Sequence, residues 1–184
     1  MALRIGQPVD HTFDEPLGLL SDCHRRIEHF LEVLVRIEQN AAGRGLTPDE
    51  WKQVESALRY FETAGPRHTA DEEESLFPRL RASLHPSADR AQRVLSQLEG
   101  EHELVESHHQ MINILCRRWL DHDRLSDEDA RELRDRLGDM QSIYRQHIAV
   151  EDHELFPIAQ RLLSPSALEE IGREMAARRR RADD

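Results

Sequence analysis

Apolar residues recur along the chain at alternating intervals of three and four, the spacing that lines one face of an α-helix. Leu20, His24, Ile27, Leu31 and Leu34 form one such stripe, in a first helical segment predicted from near Pro16 to about Asn40. Ala41 to Leu46, with Gly43 and Gly45, reads as a turn. The second segment opens on Thr47-Pro48-Asp49-Glu50, a capping box with proline at the first helical position. Its stripe is Trp51, Val54, Leu58, Phe61, Gly65, His68 and Glu72. Gly65-Pro66 inside this pattern predicts a kink or local unwinding. The segment is expected to end around Phe77-Pro78, with a short helical turn before His85-Pro86. A third segment, capped by Ser87, runs to about Asp121 with Leu95, Leu98, His102, Val105, His109, Ile112, Cys116 and Trp119 inward. Ser126 with Asp129 caps a fourth, whose stripe is Leu133, Leu137, Met140, Tyr144, His147 and Glu151 and which ends near Phe156-Pro157. Ser164-Pro165 opens a fifth, shorter segment ending in Arg178 to Arg181, read as solvated charges complementing a helix C-terminus rather than a partner or membrane patch. Four long helices with short connections predict an all-α, antiparallel four-helix bundle over residues 15–160. Residues 1–14 form an N-terminal arm, and 161–184 a C-terminal helical appendage and tail.

Length and charge narrow the function. A chain of 184 residues carries one domain, or one with an arm. Its formal net charge of −11 argues against a nucleic-acid surface. No run of eighteen apolar residues exists to span a membrane. Met1 to Asp10 lacks the apolar block of a secretory signal, and two cysteines, Cys23 and Cys116, make no disulfide framework. The cytoplasm is the expected location.

The chemistry lies where the inward stripes break their own rule. His24, His68, His102 and His147 interrupt all four long stripes, and Glu72 and Glu151 interrupt two of them. One inward histidine is commonly a satisfied core residue. A buried, unpaired carboxylate costs several kcal/mol or titrates to neutral, and no Lys or Arg lies on these stripes beside the two Glu. A metal centre satisfies all six together. In His68-x-x-x-Glu72 and His147-x-x-x-Glu151 both side chains sit one turn apart on one face. Imidazole with carboxylate suits iron, manganese or zinc, and four imidazoles with two carboxylates fit two ions bridged by the carboxylates. An internal repeat supports the pairing. His24 precedes His68 by 44 positions and His102 precedes His147 by 45, and each second His-x-x-x-Glu is followed by Leu-Phe-Pro, at 76–78 and 155–157. The chain reads as two similar hairpins around a pseudo-twofold axis.

This combination, spread over roughly residues 15 to 160, resembles the hemerythrin-like, His-His-Glu cation-binding domain family of bacterial type. The resemblance implies a four-helix bundle with a non-haem di-iron centre: two Fe ions, one held by His24 and His68 and the other by His102 and His147, bridged by Glu72 and Glu151 and by an oxo, hydroxo or water ligand. It implies a small partner such as dioxygen, peroxide or nitric oxide, in sensing, detoxification or iron handling; these residues do not separate an enzyme from a sensor. Animal oxygen carriers have His-x-x-x-His on the third helix. Here Glu106 stands four residues after His102, which points away from reversible oxygen carriage.

Neighbouring residues have more than one reading each. Glu28 and Glu106 are either extra ligands, or acceptors that orient an imidazole, or solvated carboxylates. His109 either supports the site or lines its cavity. Tyr144 either hydrogen-bonds a bound oxygen species or is a core tyrosine. Cys23 reads as a buried structural thiol, and His11, His29, His85, His108, His122 and His153 as surface residues. The alternatives are an iron–sulfur cluster repair-type protein, a ferritin-like iron-handling protein and a metal-free regulatory bundle. A ferritin site needs Glu-x-x-His on two helices. Glu99-x-x-His102 and Glu106-x-x-His109 both lie on the third.

Overall fold

The computed structural model describes residues 11–41, 43–84, 89–122 and 124–181. Met1 to Asp10, His85 and the Ser87 cap lie outside the described residues. Among those described, every regular element is helical. Helix α1 spans Pro16–Asn40, α2 Pro48–Ala70, α3 Phe77–Ser83, α4 Asp89–His122, α5 Asp127–Val150, α6 Phe156–Leu162 and α7 Pro165–Arg181. A π-helical turn, Asp71–Leu76, joins α2 to α3, and a second, Glu151–Leu155, joins α5 to α6.

The predicted starts form as drawn. Thr47 Oγ1 accepts from the Glu50 N–H at 3.3 Å, and Glu50 Oε2 accepts from the Thr47 N–H at 2.8 Å. Gly43, at φ +76°, makes the turn out of α1 in a conformation that favours glycine. The Ser126 side chain caps α5 through the Asp129 N–H.

The expected ends are different. Pro66 does not unwind α2, which runs helically through to Ala70. The departure from α geometry comes later, at the π turns, and both second strokes of the hairpins continue beyond Leu-Phe-Pro. The repeated proline supplies a reason. Pro78 has no N–H for the Glu74 carbonyl, and Pro157 none for that of His153. The preceding residue reaches back five positions instead: the Phe77 N–H bonds the Glu72 carbonyl, and the Phe156 N–H that of Glu151. Each widened turn absorbs one extra residue, so the inward stripe resumes at Phe77 and Leu80, and at Phe156 and Ala159.

Helix α1 packs against α2 and α5, and α4 against α5 and α2, closing the four-helix bundle. The helical appendage at the C-terminus is α7, which lies on the first π turn, α1 and α2 and buries Ile171 and Met175 completely. Two apolar clusters fill the interior. One contains Ile27, Leu31, Leu58, Ile112, Leu137 and Met140. The other contains Leu20, Phe77, Leu95, Leu98, Phe156 and Ile171. The six polar stripe residues lie at the level between them. Trp51 departs from its expected inward place: it is 38% exposed, at the α2 start, where its indole N–H donates to the Leu120 carbonyl. No described helix is long and apolar enough to cross a membrane.

Candidate metal centre

Each of the four histidines comes from a different long helix, one per helix, and the two Glu occupy the π turns. His24, His68, Glu72 and Glu151 offer ligand atoms that all lie within 4.8 Å of one another, and so do Glu72, His102, His147 and Glu151. The two groups share both carboxylates. All four Nε2 atoms point inward. Nε2 of His24 is 3.1 Å from Glu151 Oε2 and 3.9 Å from Glu72 Oε1. Nε2 of His68 and of His102 lie 3.5 and 3.4 Å from Glu72 Oε2, and Nε2 of His147 lies 3.2 Å from Glu151 Oε2. Both Glu are wholly buried.

For three of the four, the outer nitrogen explains this orientation. His24 Nδ1 donates to Asp152 Oδ1 at 3.0 Å, His102 Nδ1 to Glu73 Oε1 at 2.8 Å and His147 Nδ1 to Glu101 Oε2 at 2.9 Å. A carboxylate can only accept, so each Nδ1 keeps a proton and each Nε2 presents a lone pair inward. Two of the bonds cross between hairpins. The residue after Glu151 holds His24, and the residue after Glu72 holds His102. The phenylalanines cross in the same way: Phe156 stacks on His24 and Phe77 on His102, with ring planes 10° and 6° apart. These roles for Asp152, Glu73 and Glu101 are absent from the stripe reading. Their only sequence signal is an acidic neighbour beside each inward residue.

The inward atoms lack protein partners. All four oxygens of Glu72 and Glu151, and Nε2 of His24, are buried without a hydrogen bond among the described residues. Nε2 of His102 and Nε2 of His147 face each other at 3.1 Å, lone pair to lone pair unless a proton or cation intervenes. That donor set, imidazoles and two shared carboxylates without a lysine or arginine among them, fits bound metal cations.

Without an ion, protons take that place. Burial pushes His24 down, but Asp152 and Glu151 outweigh it and lift it to about 10. His102 rises to about 9, burial again being overcome by Glu72 and Glu73, and His147 rises through Glu151 despite burial. Burial and its cationic neighbour His24 hold His68 well below the usual imidazole range. Burial and the charge of Glu151 raise Glu72 to about 7, whereas the His147 and His24 imidazoles beside it hold Glu151 down against its own burial.

A cavity of about 380 Å³ opens beside the six residues, lined by His68, His102, His147, His109 and Tyr144, with exposed Glu106 at its edge. His109 Nε2 and the Tyr144 hydroxyl are hydrogen-bonded at 2.8 Å. Burial drives His109 down to about 4, so it is neutral and lines the cavity rather than the ligand cluster.

Several sequence readings resolve here. Glu28 and Glu106 are both exposed, and Glu106 accepts from Gln110, so neither joins the cluster. Glu99 forks onto Arg81 at 2.6 and 2.8 Å, leaving the ferritin-type Glu-x-x-His pattern without its carboxylate. Cys23 is buried, with the Arg26 guanidinium donating to its sulfur at 3.3 Å. His29, His122 and His153 are exposed, as expected. His108 is not: it is 6% exposed, with Nδ1 buried and unpartnered among the described residues. His11 is half-buried, its ring and its backbone N–H both bonded to buried Asp22. Two of the terminal arginines are not free charges either. Arg178 and Arg179 converge at 2.9 and 2.8 Å on the two oxygens of fully buried Asp71, next to Glu72.

The model of the hemerythrin HHE cation-binding domain matches residues 15–159. A protein of Haemophilus influenzae named only as uncharacterized is 31% identical over 168 residues, covering 91% of this chain and 92% of that relative.

Proposed function

We propose that this chain, which belongs to the hemerythrin HHE cation-binding domain family, holds two iron ions and reacts with a small oxidant: dioxygen, peroxide or nitric oxide. His24 and His68 would hold one ion, His102 and His147 the other, and Glu72 and Glu151 would bridge them. The observation that carries this reading is the pair of four-residue groups sharing both buried carboxylates, whose oxygens meet no hydrogen-bond donor among the described residues. Iron bound there would supply one-electron chemistry toward the oxidant.

The protein's part is to hold, admit and shield. Asp152, Glu73 and Glu101 fix the imidazole tautomers. The stacked Phe156 and Phe77, and the apolar clusters above and below, keep bulk water from the bridging carboxylates. The cavity beside His68, His102 and His147 admits a molecule of a few atoms, and the Tyr144–His109 pair gives it a hydrogen-bonding wall. Glu106, which stands where an oxygen carrier has a third-helix histidine, lies exposed at the cavity edge, so neither ion would receive an imidazole from that position. Both would keep room for an exogenous ligand, which would favour oxidation and turnover over storage of dioxygen.

Metal analysis of protein loaded anaerobically with iron(II) tests the site, with about two iron per chain expected because six such ligands exceed one ion's demand. Glu72→Ala and Glu151→Ala should each lower the content of both positions. A content near one, with the two variants unequal, overturns the shared-carboxylate arrangement. Stopped-flow mixing of the reduced protein with oxygen and with peroxide tests the reactivity. Rapid conversion to a ferric spectrum is expected, whereas an oxygenated spectrum reversed by inert gas would mark a carrier.

A further inference from the structure

The outer partners of the four imidazoles are not symmetric. Three Nδ1 atoms donate to carboxylates. The fourth, on His68, is buried and meets no partner among the described residues. The hairpin repeat shows what differs. Glu101 precedes His102 and holds His147; in the matching position before His24 stands Cys23. The Cys23 sulfur is engaged by Arg26 at 3.3 Å, so no carboxylate stands where the repeat would put one behind His68. The His102–His147 side therefore has two carboxylate-backed imidazoles, and the His24–His68 side has one.

Resting on the two-ion reading above, we infer that the two positions are unequal: the ion between His24 and His68 binds second and leaves first. A carboxylate behind a ligand histidine fixes its tautomer and rotation and makes its other nitrogen a better donor. Losing such a partner costs about 10–100-fold in metal affinity, and His68 lacks it by construction. At limiting metal the protein holds one ion, at His102 and His147. It becomes a two-ion protein only when free metal exceeds the second, weaker step, so Cys23 ties the formation of the pair to metal supply.

Cobalt(II), added stepwise to metal-free protein and followed by calorimetry and visible absorption, reads both steps without redox chemistry. Two steps separated by about 10–100-fold are expected. Separation alone could arise from repulsion between neighbouring ions, so the position filled first decides. His68→Gln should keep the first step and abolish the second, whereas His147→Gln should weaken the first. Glu101→Gln, at a partly exposed side chain, should lower the first step by about tenfold and narrow the gap. Circular dichroism verifies that each variant is folded. Two equal steps, or equal weakening of the first step by His68→Gln and His147→Gln, or a Glu101→Gln effect confined to the second step, overturns the inference. Failure of the wild-type protein to bind any cobalt overturns the two-ion reading itself, and this inference with it.

Discussion

At the scale of single residues, the site is a set of charges arranged to be unsatisfied by protein alone. His24 and His102, lifted to about 10 and about 9, carry protons that any incoming ion must displace. These shifts make a prediction with a definite sign. A group whose folded value lies above its unfolded value stabilises the fold fully below the unfolded value, near 6.5, and loses that contribution as pH rises through the folded value. Glu72, raised to about 7, costs stability once ionised, so it acts in the same direction from acid to neutral pH. His68 acts oppositely, but only below about 6.5, where its unfolded form takes up a proton. Metal-free protein should therefore lose melting temperature between pH 7 and pH 10, measured by circular dichroism in the presence of chelator. Metal-loaded protein should change little over that window, because ions replace the protons. Parallel curves for the two forms would show that His24 and His102 are not the groups that titrate.

At the scale of elements, the π turns and α7 form one unit. Each π turn carries an inward glutamate, then an acidic residue, and leads into a phenylalanine, and the last two serve a histidine of the other hairpin. Helix α7 fastens the first turn by closing Arg178 and Arg179 on Asp71. Removing both guanidiniums leaves a wholly buried carboxylate beside Glu72. Breaking a buried pair from one side costs about 3–5 kcal/mol, and the partial exposure of both arginines places the double variant Arg178→Ala/Arg179→Ala near the lower end. For a chain of this size that is a fall of on the order of 10 °C in melting temperature. Calorimetry on the double variant checks it. A change within a degree or two would mean that Asp71 is satisfied without α7. Gly172→Ala probes a second contact of α7, with the segment before α1, since a Cβ there would collide with the Phe13 backbone carbonyl, which cannot swing aside as a side chain would.

At the scale of the whole molecule, the polar layer separates two apolar cores. In the metal-free protein two buried carboxylates repel across the middle of the bundle, so ions that bind only the folded state stabilise it by mass action. At a hundredfold excess over the dissociation constant that contribution is about 2.7 kcal/mol per site. Iron- or cobalt-loaded protein should melt several degrees above the metal-free form, and thermal melts at a series of metal concentrations read it directly. Coincident melts would place Glu72 and Glu151 outside a dry core.

The periodicity of apolar positions was enough to set four long helices and to single out His24, His68, Glu72, His102, His147 and Glu151, because a stripe records which face of its own helix turns inward. The hairpin repeat groups them as the folded chain brings them together in space. What a stripe cannot record is what the neighbouring helix brings. Asp152 behind His24, Glu73 behind His102 and the missing acceptor behind His68 depend on how the two hairpins rotate against each other. So does the burial of His108, whose place off the stripe reads as surface until α4 is packed. Trp51 fails for the opposite reason: it is on the stripe but at the bundle's end, where the neighbours stop short of covering it. The π turns were written in the chain as Leu-Phe-Pro, but a missing proline N–H signals a helix end as readily as a widened turn. Only packing on both sides, with Phe77 and Phe156 stacked on the opposite hairpin's histidines, decides that the helix continues, since burying those rings is worth more than the ladder bonds the prolines remove.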